Sequence, residues 1–149
     1  AAAAARSKTE LAACLSQYAR GEKPPAIISS RGRTAPDRRA IFVFDRQVAA
    51  HPDCIPPAEQ LRLGDFRETL PAFAAEGQPP AVLIHADIGS GDKAASLQLA
   101  ADLAPSWARI LAPGGFLASD QAVAHPLWTP VPLPPGVDAG RYHLYCRKN

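Results

Sequence analysis

The chain has 149 residues, 47% of them hydrophobic, which is enough for one domain with a core and too few for two ordinary domains. A net charge of +2 argues against a nucleic-acid surface, and no apolar run reaches the roughly 18 residues that span a membrane. Three cysteines, Cys14, Cys54 and Cys146, cannot pair completely, and no signal peptide is visible, so the expected location is cytoplasmic.

The first part of the chain predicts a tail, a helix and a short strand. The sequence has no methionine, and residues 1–6 are interpreted as an expression remnant or uncertain tail, outside a single domain over 7–149. Ser7-Lys8-Thr9-Glu10 fits a capping box, and apolar residues at helical spacing then predict a helix over 7–20. A short strand over 26–30 follows, leading into a loop.

The middle of the chain alternates strands with helical segments. Ile41-Phe42-Val43-Phe44, ending at Asp45, is β-branched and aromatic, which predicts a strand buried on both faces. Three prolines make 47–60 at most a broken helix. A short strand at 61–64 leads into a helix from Phe66 to Ala75, which Pro71 is expected to interrupt early.

The stretch Ala81 to Asp120 predicts a strand, a helix and a second strand. An apolar run ends in His85 and Asp87, and a helix-period segment follows the glycines 89 and 91. Pro113-Gly114-Gly115 is expected to stop that helix and begin a strand at 115–119. The predicted inner face of the helix is made of Leu97, Ala100, Leu103, Ala104, Trp107, Ile110 and Leu111.

The carboxyl-terminal part predicts an antiparallel hairpin with arms at 131–134 and 141–146. Trp128 lies in a Pro-rich segment, 126–135, which is either a lid or subunit contact or, by the preferred interpretation, a loop that buries Trp128 against the sheet edge. Together the elements predict an α/β fold: a Rossmann-like, doubly wound, mostly parallel sheet with this terminal hairpin.

Two local clusters suggest ligands only weakly. Four arginines between residues 31 and 39 could contact phosphate, but a solvated loop is the preferred interpretation. His51, Asp53 and Cys54 lack the second pair of ligands that a tetrahedral metal site needs, so no metal is predicted.

Acidic residues follow four predicted strands, at Asp45, Asp65, Asp87 and Asp120. Any one of them could be only a helix N-cap. Ligands of open parallel sheets bind beyond the carboxyl ends of the strands, however, and there four carboxylates could accept hydrogen bonds from the hydroxyls and amino groups of a nucleoside.

The order of these features resembles the class I S-adenosylmethionine-dependent methyltransferases, and within them a small single-domain bacterial group. The likeness covers about residues 26–149 and is based on the acid-ended strands, the Gly64-Asp65-Phe66 corner, the His-Ala-Asp-Ile-Gly strand end and the Leu-x-Pro-Gly-Gly turn.

The resemblance implies a cofactor, S-adenosyl-L-methionine, and a role for each matching residue. Asp45 would bind the two ribose hydroxyls, and Asp65 with Phe66 would meet the adenine. Asp87 would stand nearest the transferred methyl group, with His85 behind it; either would act as a base only if the acceptor must lose a proton. Gly32 is the remnant of the first glycine-rich loop.

That first loop departs from the family. Where an acid and a glycine-rich turn are expected, the chain reads Ala26-Ile27-Ile28-Ser29-Ser30-Arg31-Gly32-Arg33-Thr34. Bulky residues at positions of close approach would obstruct a cofactor. A catalytically silent binding or assembly module is therefore the alternative to a methyltransferase.

A third interpretation uses Gly89-Ser90-Gly91-Asp92-Lys93-Ala94, which matches a dinucleotide-binding G-x-G-x-x-A between a strand and a helix. It would make the protein a nucleotide-binding oxidoreductase. The leading prediction is a methyltransferase acting on a small-molecule acceptor, with no nucleic-acid or membrane partner. The acceptor pocket is expected in loops 47–60 and 121–140, and a homo-oligomer is permitted but not indicated.

Overall fold

The computed structural model describes residues 27–31, 39–48 and 55–149. The strands among them are β1 Ile27–Arg31, β2 Arg39–Asp45, β3 Leu61–Leu63, β4 Ala81–Ala86, β5 Leu111–Ser119, β6 Trp128–Val131 and β7 His143–Arg147. The helices there are α1, Phe66–Ala75, and α2, Lys93–Ile110, with a 3-10 turn at Ala58–Gln60. The predicted helix over 7–20 and the loop after Arg31 lie outside the described residues.

All seven described strands belong to one mixed sheet in the order β3-β2-β1-β4-β5-β7-β6. β2 pairs parallel with β3, and β4 pairs parallel with β5. The other four pairings are antiparallel. The α/β class is therefore confirmed, but the sheet is mixed rather than mostly parallel.

The direction of β1 accounts for two of the antiparallel pairings. Ile27 pairs with Val43 and Arg31 with Arg39, so β1 and β2 run in opposite directions. On its other side, β1 also runs antiparallel to β4. The short connection between β1 and β2 favours this arrangement, because a parallel pair needs a crossover of a dozen or more residues. Only seven residues, 32–38, separate the two strands.

Helix α1 begins at the Asp65 N-cap, and its buried residues Leu70 and Phe73 pack on the sheet. The Phe73 ring lies 4.8 Å from the Phe42 ring and 5.3 Å from the Phe44 ring, between centroids. The predicted interruption at Pro71 is wrong, since the helix runs through it to Ala75. Pro71 is exposed, so the carbonyl that loses its N–H partner there can hydrogen-bond water.

Helix α2 buries most of the predicted face, with Ala100, Leu103 and Trp107 all at most 2% exposed. Leu97 is 37% exposed, and Ser96 is buried in the same turn. The helix ends at Ile110, before the predicted stop, and Leu111 already belongs to β5.

Pro113-Gly114-Gly115 forms an irregularity inside β5 rather than the end of the helix. Ala81 pairs with Leu111 and Leu83 with Phe116, so five steps along β5 match two along β4. Gly114 has φ +74°, and a Cβ on Gly115 would lie 2.9 Å from the Ala112 carbonyl oxygen. Glycine is needed at both positions for these reasons.

The core has two parts, one on each face of the sheet. The larger part joins α1 and α2 to Phe42, Phe44, Ile84 and Leu117 among others. The smaller part lies on the other face, around Phe116, Ala118 and Leu144. Both described helices therefore pack on the same face of the sheet.

The last two strands pair antiparallel, as the predicted hairpin requires, but with bounds shifted to β6 and β7. Trp128 is 5% exposed, which confirms its predicted burial at the sheet edge, but it begins the edge strand β6 and does not lie in a covering loop. The Tyr145 hydroxyl of β7 accepts a hydrogen bond from the buried Val123 N–H at 3.0 Å, which ties the loop after β5 to the sheet.

Among the described residues, no helix is both long and apolar enough to cross a membrane. In that part of the chain, no three His, Cys, Asp or Glu side chains lie close enough together to hold a metal ion.

Candidate functional site

The carboxyl ends of β2, β3, β4 and β5 share one edge of the sheet. β1 runs antiparallel to both β2 and β4, so these two strands point the same way, and each carries a parallel neighbour. Asp45, Asp65, Asp87 and Asp120 end or follow these four strands. We call this edge, with its four aspartates, the acidic edge.

Asp45 is the last residue of β2 and is half-buried. Its Oδ1 accepts a hydrogen bond from the Gln47 N–H at 3.3 Å. Its backbone carbonyl accepts from the Gly64 N–H at 3.0 Å, which joins the end of β2 to the corner after β3. The side chain thus stands at a fixed point of the acidic edge.

The corner after β3 turns at Gly64, whose φ of +139° disfavours any other residue. Asp65 Oδ1 accepts from the Arg67 N–H at 2.8 Å and caps α1. Asp65 is therefore a helix N-cap, the role that the sequence left open for each of the strand-end acids. Phe66, the first residue of α1, is half-buried beside it.

A small, partly open apolar recess lies between the sheet and the two helices, next to this corner. Its lining residues are Phe44, Phe66, Leu70, Ile84, His85, Ala86, Ile88, Leu103 and Trp107. An apolar cleft bordered by a few polar groups is the usual form of a small-molecule site.

Asp87 and His85 follow each other at the end of β4 but differ in exposure. Asp87 is half-buried at the acidic edge, whereas His85 is 1% exposed. The His85 ring lies 6.0 Å from the Tyr142 ring, and its strand neighbour Ala118 belongs to the smaller core. Asp87 is therefore the better placed of the two to meet a ligand at the edge.

Asp120 binds the loop that follows β4. Its Oδ1 accepts from the Ile88 N–H at 3.1 Å, and its Oδ2 accepts from the Gly89 N–H at 2.8 Å. Oδ2 also accepts from the Gln121 side-chain amide at 3.1 Å. The carboxylate thus links the end of β5 to the loop after β4.

The Gly89 to Gly91 loop is exposed, but carboxylates occupy the positions that a dinucleotide site needs free. A pyrophosphate would approach the first glycine, yet that side of Gly89 faces the Asp120 carboxylate. The N-terminus of α2 is already capped by Asp92, which accepts from the Ala95 N–H at 3.0 Å. Both carboxylates would repel a phosphate, which weighs against the oxidoreductase interpretation.

Comparison with known proteins identifies the chain. The model of a family described as S-adenosyl-L-methionine methyltransferase matches residues 32–147. The chain belongs to this family. A crystal structure of an S-adenosyl-L-methionine methyl transferase from Silicibacter pomeroyi DSS-3 is 40% identical to it, with a TM-score of 0.67. That likeness covers 71% of this chain and 65% of the other, and no curated protein matches.

S-adenosyl-L-methionine is the cofactor of this methyltransferase family, and the acidic edge fits part of it. A carboxylate at Asp45 suits vicinal hydroxyls, and the apolar surface at Phe66, on the wall of the recess, suits the face of a flat ring. Gly32, the predicted remnant of the first loop, lies outside the described residues, and its role stays a prediction. Arg31, the residue before it, pairs with Arg39 at the beginning of β2, six residues from Asp45.

Two features of the candidate site do not follow from the sequence. Ile88 lines the recess, and the only signal of this in the sequence is a weak one, an apolar residue in a polar loop. The sequence predicts Asp120 as a strand-end acid, but it does not predict the hydrogen bonds to the Ile88 and Gly89 amides. No pattern in the sequence predicts hydrogen bonds between residues that lie 31 and 32 positions apart.

Proposed function

We propose that this chain binds S-adenosyl-L-methionine along the acidic edge and transfers a methyl group to a small-molecule acceptor. The observation that supports it most is the combination of family membership with an apolar recess whose lining includes chain neighbours of Asp45, Asp65 and Asp87. We further infer a Rossmann-like sheet, since its strand order places the ends of four co-directional strands together.

Asp45 is the proposed ribose-binding residue. It ends a strand in the middle of the acidic edge, and its backbone is fixed by the Gly64 N–H. A carboxylate can accept from two neighbouring hydroxyls at once, and a hydrogen bond to a charged group contributes about 1.5–3 kcal/mol. This contact would account for a large part of the cofactor affinity.

The adenine is assigned to the recess, against Phe66 and Ile88. The half-buried ring of Phe66 gives it a flat apolar neighbour, and Asp65 stands one residue away for the amino group. One Asp65 oxygen already caps α1, so a hydrogen bond to adenine would use the other oxygen.

Asp87 is assigned to the end of the site where the methyl group is transferred. The cofactor supplies an electrophilic methyl group on a sulfonium, and an in-line displacement mainly requires alignment of the acceptor. Asp87 can orient an acceptor or take a proton from it. His85 is buried behind it and is assigned to supporting that strand end.

The acceptor is proposed to be a small molecule held by residues of the segments 47–60 and 121–140. A small net charge and the lack of a basic surface pattern in the sequence favour this over a nucleic acid. The cytoplasm is the proposed location, supported by the odd number of cysteines.

Calorimetric titration of S-adenosylmethionine and S-adenosylhomocysteine into the purified chain tests the proposal. We expect micromolar binding that Asp45→Ala weakens at least about tenfold, equivalent to about 1.4 kcal/mol. Asp102→Ala is the matched control, because Asp102 binds Arg67 and Gln98 on the outside of the helices. Equal affinities for the wild type and Asp45→Ala would contradict the assignment.

One observation favours the alternative, a catalytically silent methyltransferase-like binding or assembly module. β1 runs antiparallel to β2, so its carboxyl end lies at the edge opposite Asp45. In the family pattern of the sequence, the loop after the first strand should lie beside the cofactor. A chain that binds neither cofactor form, yet purifies with a stoichiometric partner, would support this alternative.

A further inference from the structure

We propose that Asp120 is a positioning residue, which holds the loop Asp87–Ser90 in the shape that binds the cofactor. This inference rests on the proposed function, because the loop carries Asp87 and Ile88. Asp120 follows a different strand, β5, and reaches across to the loop with both carboxylate oxygens.

The hydrogen bonds of Asp120 fix the two peptide units that follow Asp87. Ile88 N–H donates to Oδ1 at 3.1 Å, and Gly89 N–H donates to Oδ2 at 2.8 Å. The Asp120 backbone N–H also donates to the Ala86 carbonyl at 3.0 Å. Asp120 therefore makes three hydrogen bonds to the backbone on either side of Asp87, one to Ala86 before it and two to Ile88 and Gly89 after it.

Gly89 is fitted to Asp120. A Cβ added at Gly89 would stand 2.6 Å from Asp120 Oδ2, closer than real Cβ atoms come to any neighbour. The backbone of Gly89 does not have the positive φ that would by itself demand glycine. Gly89, the first glycine of the sequence that matches a nucleotide-binding motif, is thus required because the Asp120 carboxylate lies so close to it.

The far side of the loop is held independently. Ser96 Oγ accepts from the Ser90 N–H at 3.1 Å and donates to the Asp92 carbonyl at 2.7 Å. Because Ser96 is 3% exposed in the first turn of α2, this end of the loop is anchored to the helix. Asp120 holds the other end of the loop, at the Ile88 and Gly89 amides next to Asp87.

Substitutions at Asp120 and Gly89 test the inference through cofactor affinity. We expect Asp120→Ala to weaken S-adenosylhomocysteine binding about tenfold, because two charge-assisted hydrogen bonds to the loop are lost. Asp120→Asn keeps one acceptor oxygen, and we expect a smaller loss. Gly89→Ala, which forces the carboxylate away, should cost about as much as Asp120→Ala.

The double variant Gly89→Ala/Asp120→Ala shows whether the two substitutions weaken cofactor binding through the same contact or independently. Without the carboxylate the nearest remaining neighbour of the added methyl group is the Gln121 side-chain nitrogen at 3.3 Å, the end of a flexible side chain. The combined loss should therefore remain about tenfold rather than about a hundredfold. Hydrogen exchange at the Ile88 and Gly89 amides should accelerate in Asp120→Ala while exchange at Leu117 in β5 stays slow. A merely structural role would lower the unfolding midpoint and leave the affinity of the folded protein unchanged.

The outcomes distinguish this inference from the proposed function. Equally tight binding by the wild type and by Asp120→Ala would contradict the role of Asp120 and leave the proposed function standing. Losses that multiply in the double variant would have the same consequence. No binding by the wild type would overturn the proposed function and this inference together. The Asp102→Ala variant, which is remote from the loop, should bind like the wild type.

Discussion

Four aspartates at one edge of a sheet look alike in the sequence, but their hydrogen bonds differ. Asp65 caps a helix, Asp120 binds two amides of a neighbouring loop, and Asp45 accepts from the Gln47 N–H. Asp87 is half-buried between them. The residue type therefore predicts a polar edge, whereas the role of each carboxylate depends on which backbone amides the fold brings to it.

Asp65 permits a separation of stability from binding. Asp65→Ala removes the N-cap of α1, and we expect a loss of about 1 kcal/mol in the free energy of unfolding. Asp65→Asn retains a capping oxygen and should stay within a few tenths of a kcal/mol of the wild type. Urea denaturation measures both variants.

If Asp65 also meets the adenine, calorimetry should find weaker cofactor binding in Asp65→Asn despite its retained stability. Wild-type affinity in Asp65→Asn would restrict Asp65 to the capping role. Such a result would leave the recess and Phe66 as the adenine site.

The residues of the edge could be predicted because strand ends follow from apolar runs, and an acid after such a run is visible in the sequence. The contact partners of these residues could not be predicted. The Asp120 bonds join positions more than thirty residues apart, and the burial of His85 depends on Tyr142, which lies 57 residues further along the chain.

At the scale of elements, prolines and glycines were the least predictable. Pro71 lies within α1 without ending it, since the burial of Leu70 and Phe73 holds the helix on the sheet. Pro113-Gly114-Gly115 makes an irregularity within β5 instead of ending α2. Local propensity marks these positions, but packing decides whether the chain breaks or bends there.

The end of α1 carries an ion pair with a predictable pH dependence. Arg62 Nη2 lies 3.0 Å from Glu76 Oε2, and its guanidinium also stands over the Phe42 and Phe73 rings at 5.6 and 5.8 Å from the ring centroids. The hydrogen bond from Arg62 lowers the pKa of Glu76 below its usual 4.5, with a smaller contribution from Gln78 and an opposing one from burial.

Because the pKa of Glu76 is lower in the folded state, its ionised form stabilises the fold at pH values above the pKa of the unfolded state. This contribution is lost as the pH falls through the pKa of the folded state. We expect Glu76→Gln to cost less than about 1 kcal/mol at neutral pH, because the pair is partly exposed. The difference from the wild type should shrink as the pH falls below 4.5. Urea denaturation over a pH series measures it, and a difference that grows toward acid would contradict the account.

For the whole molecule, the direction of β1 matters most, because it decides which edge receives the end of the first strand. The antiparallel register places Ile27 opposite Val43, whereas a parallel β1 would place Ile27 near the beginning of β2, at Arg39. Four residues of strand, roughly 13 Å, separate the two positions.

Paired cysteines test this direction. In a background with serine at positions 14, 54 and 146, we expect Ile27→Cys/Val43→Cys to form a disulfide on mild oxidation, because antiparallel partners lie within bridging distance. Ile27→Cys/Arg39→Cys should stay reduced. Mass measurement under non-reducing conditions distinguishes the two, and the opposite pattern would mean that β1 runs parallel.

The central claim is that the acidic edge holds the cofactor, and a crystal structure of the chain with S-adenosylhomocysteine tests it most directly. We predict ribose hydroxyls within hydrogen-bond distance of Asp45, the adenine in the recess against Phe66 and Ile88, and the homocysteine sulfur on the side of Asp87. Electron density for the ligand at another edge of the sheet, or none at saturating concentration, would contradict the claim.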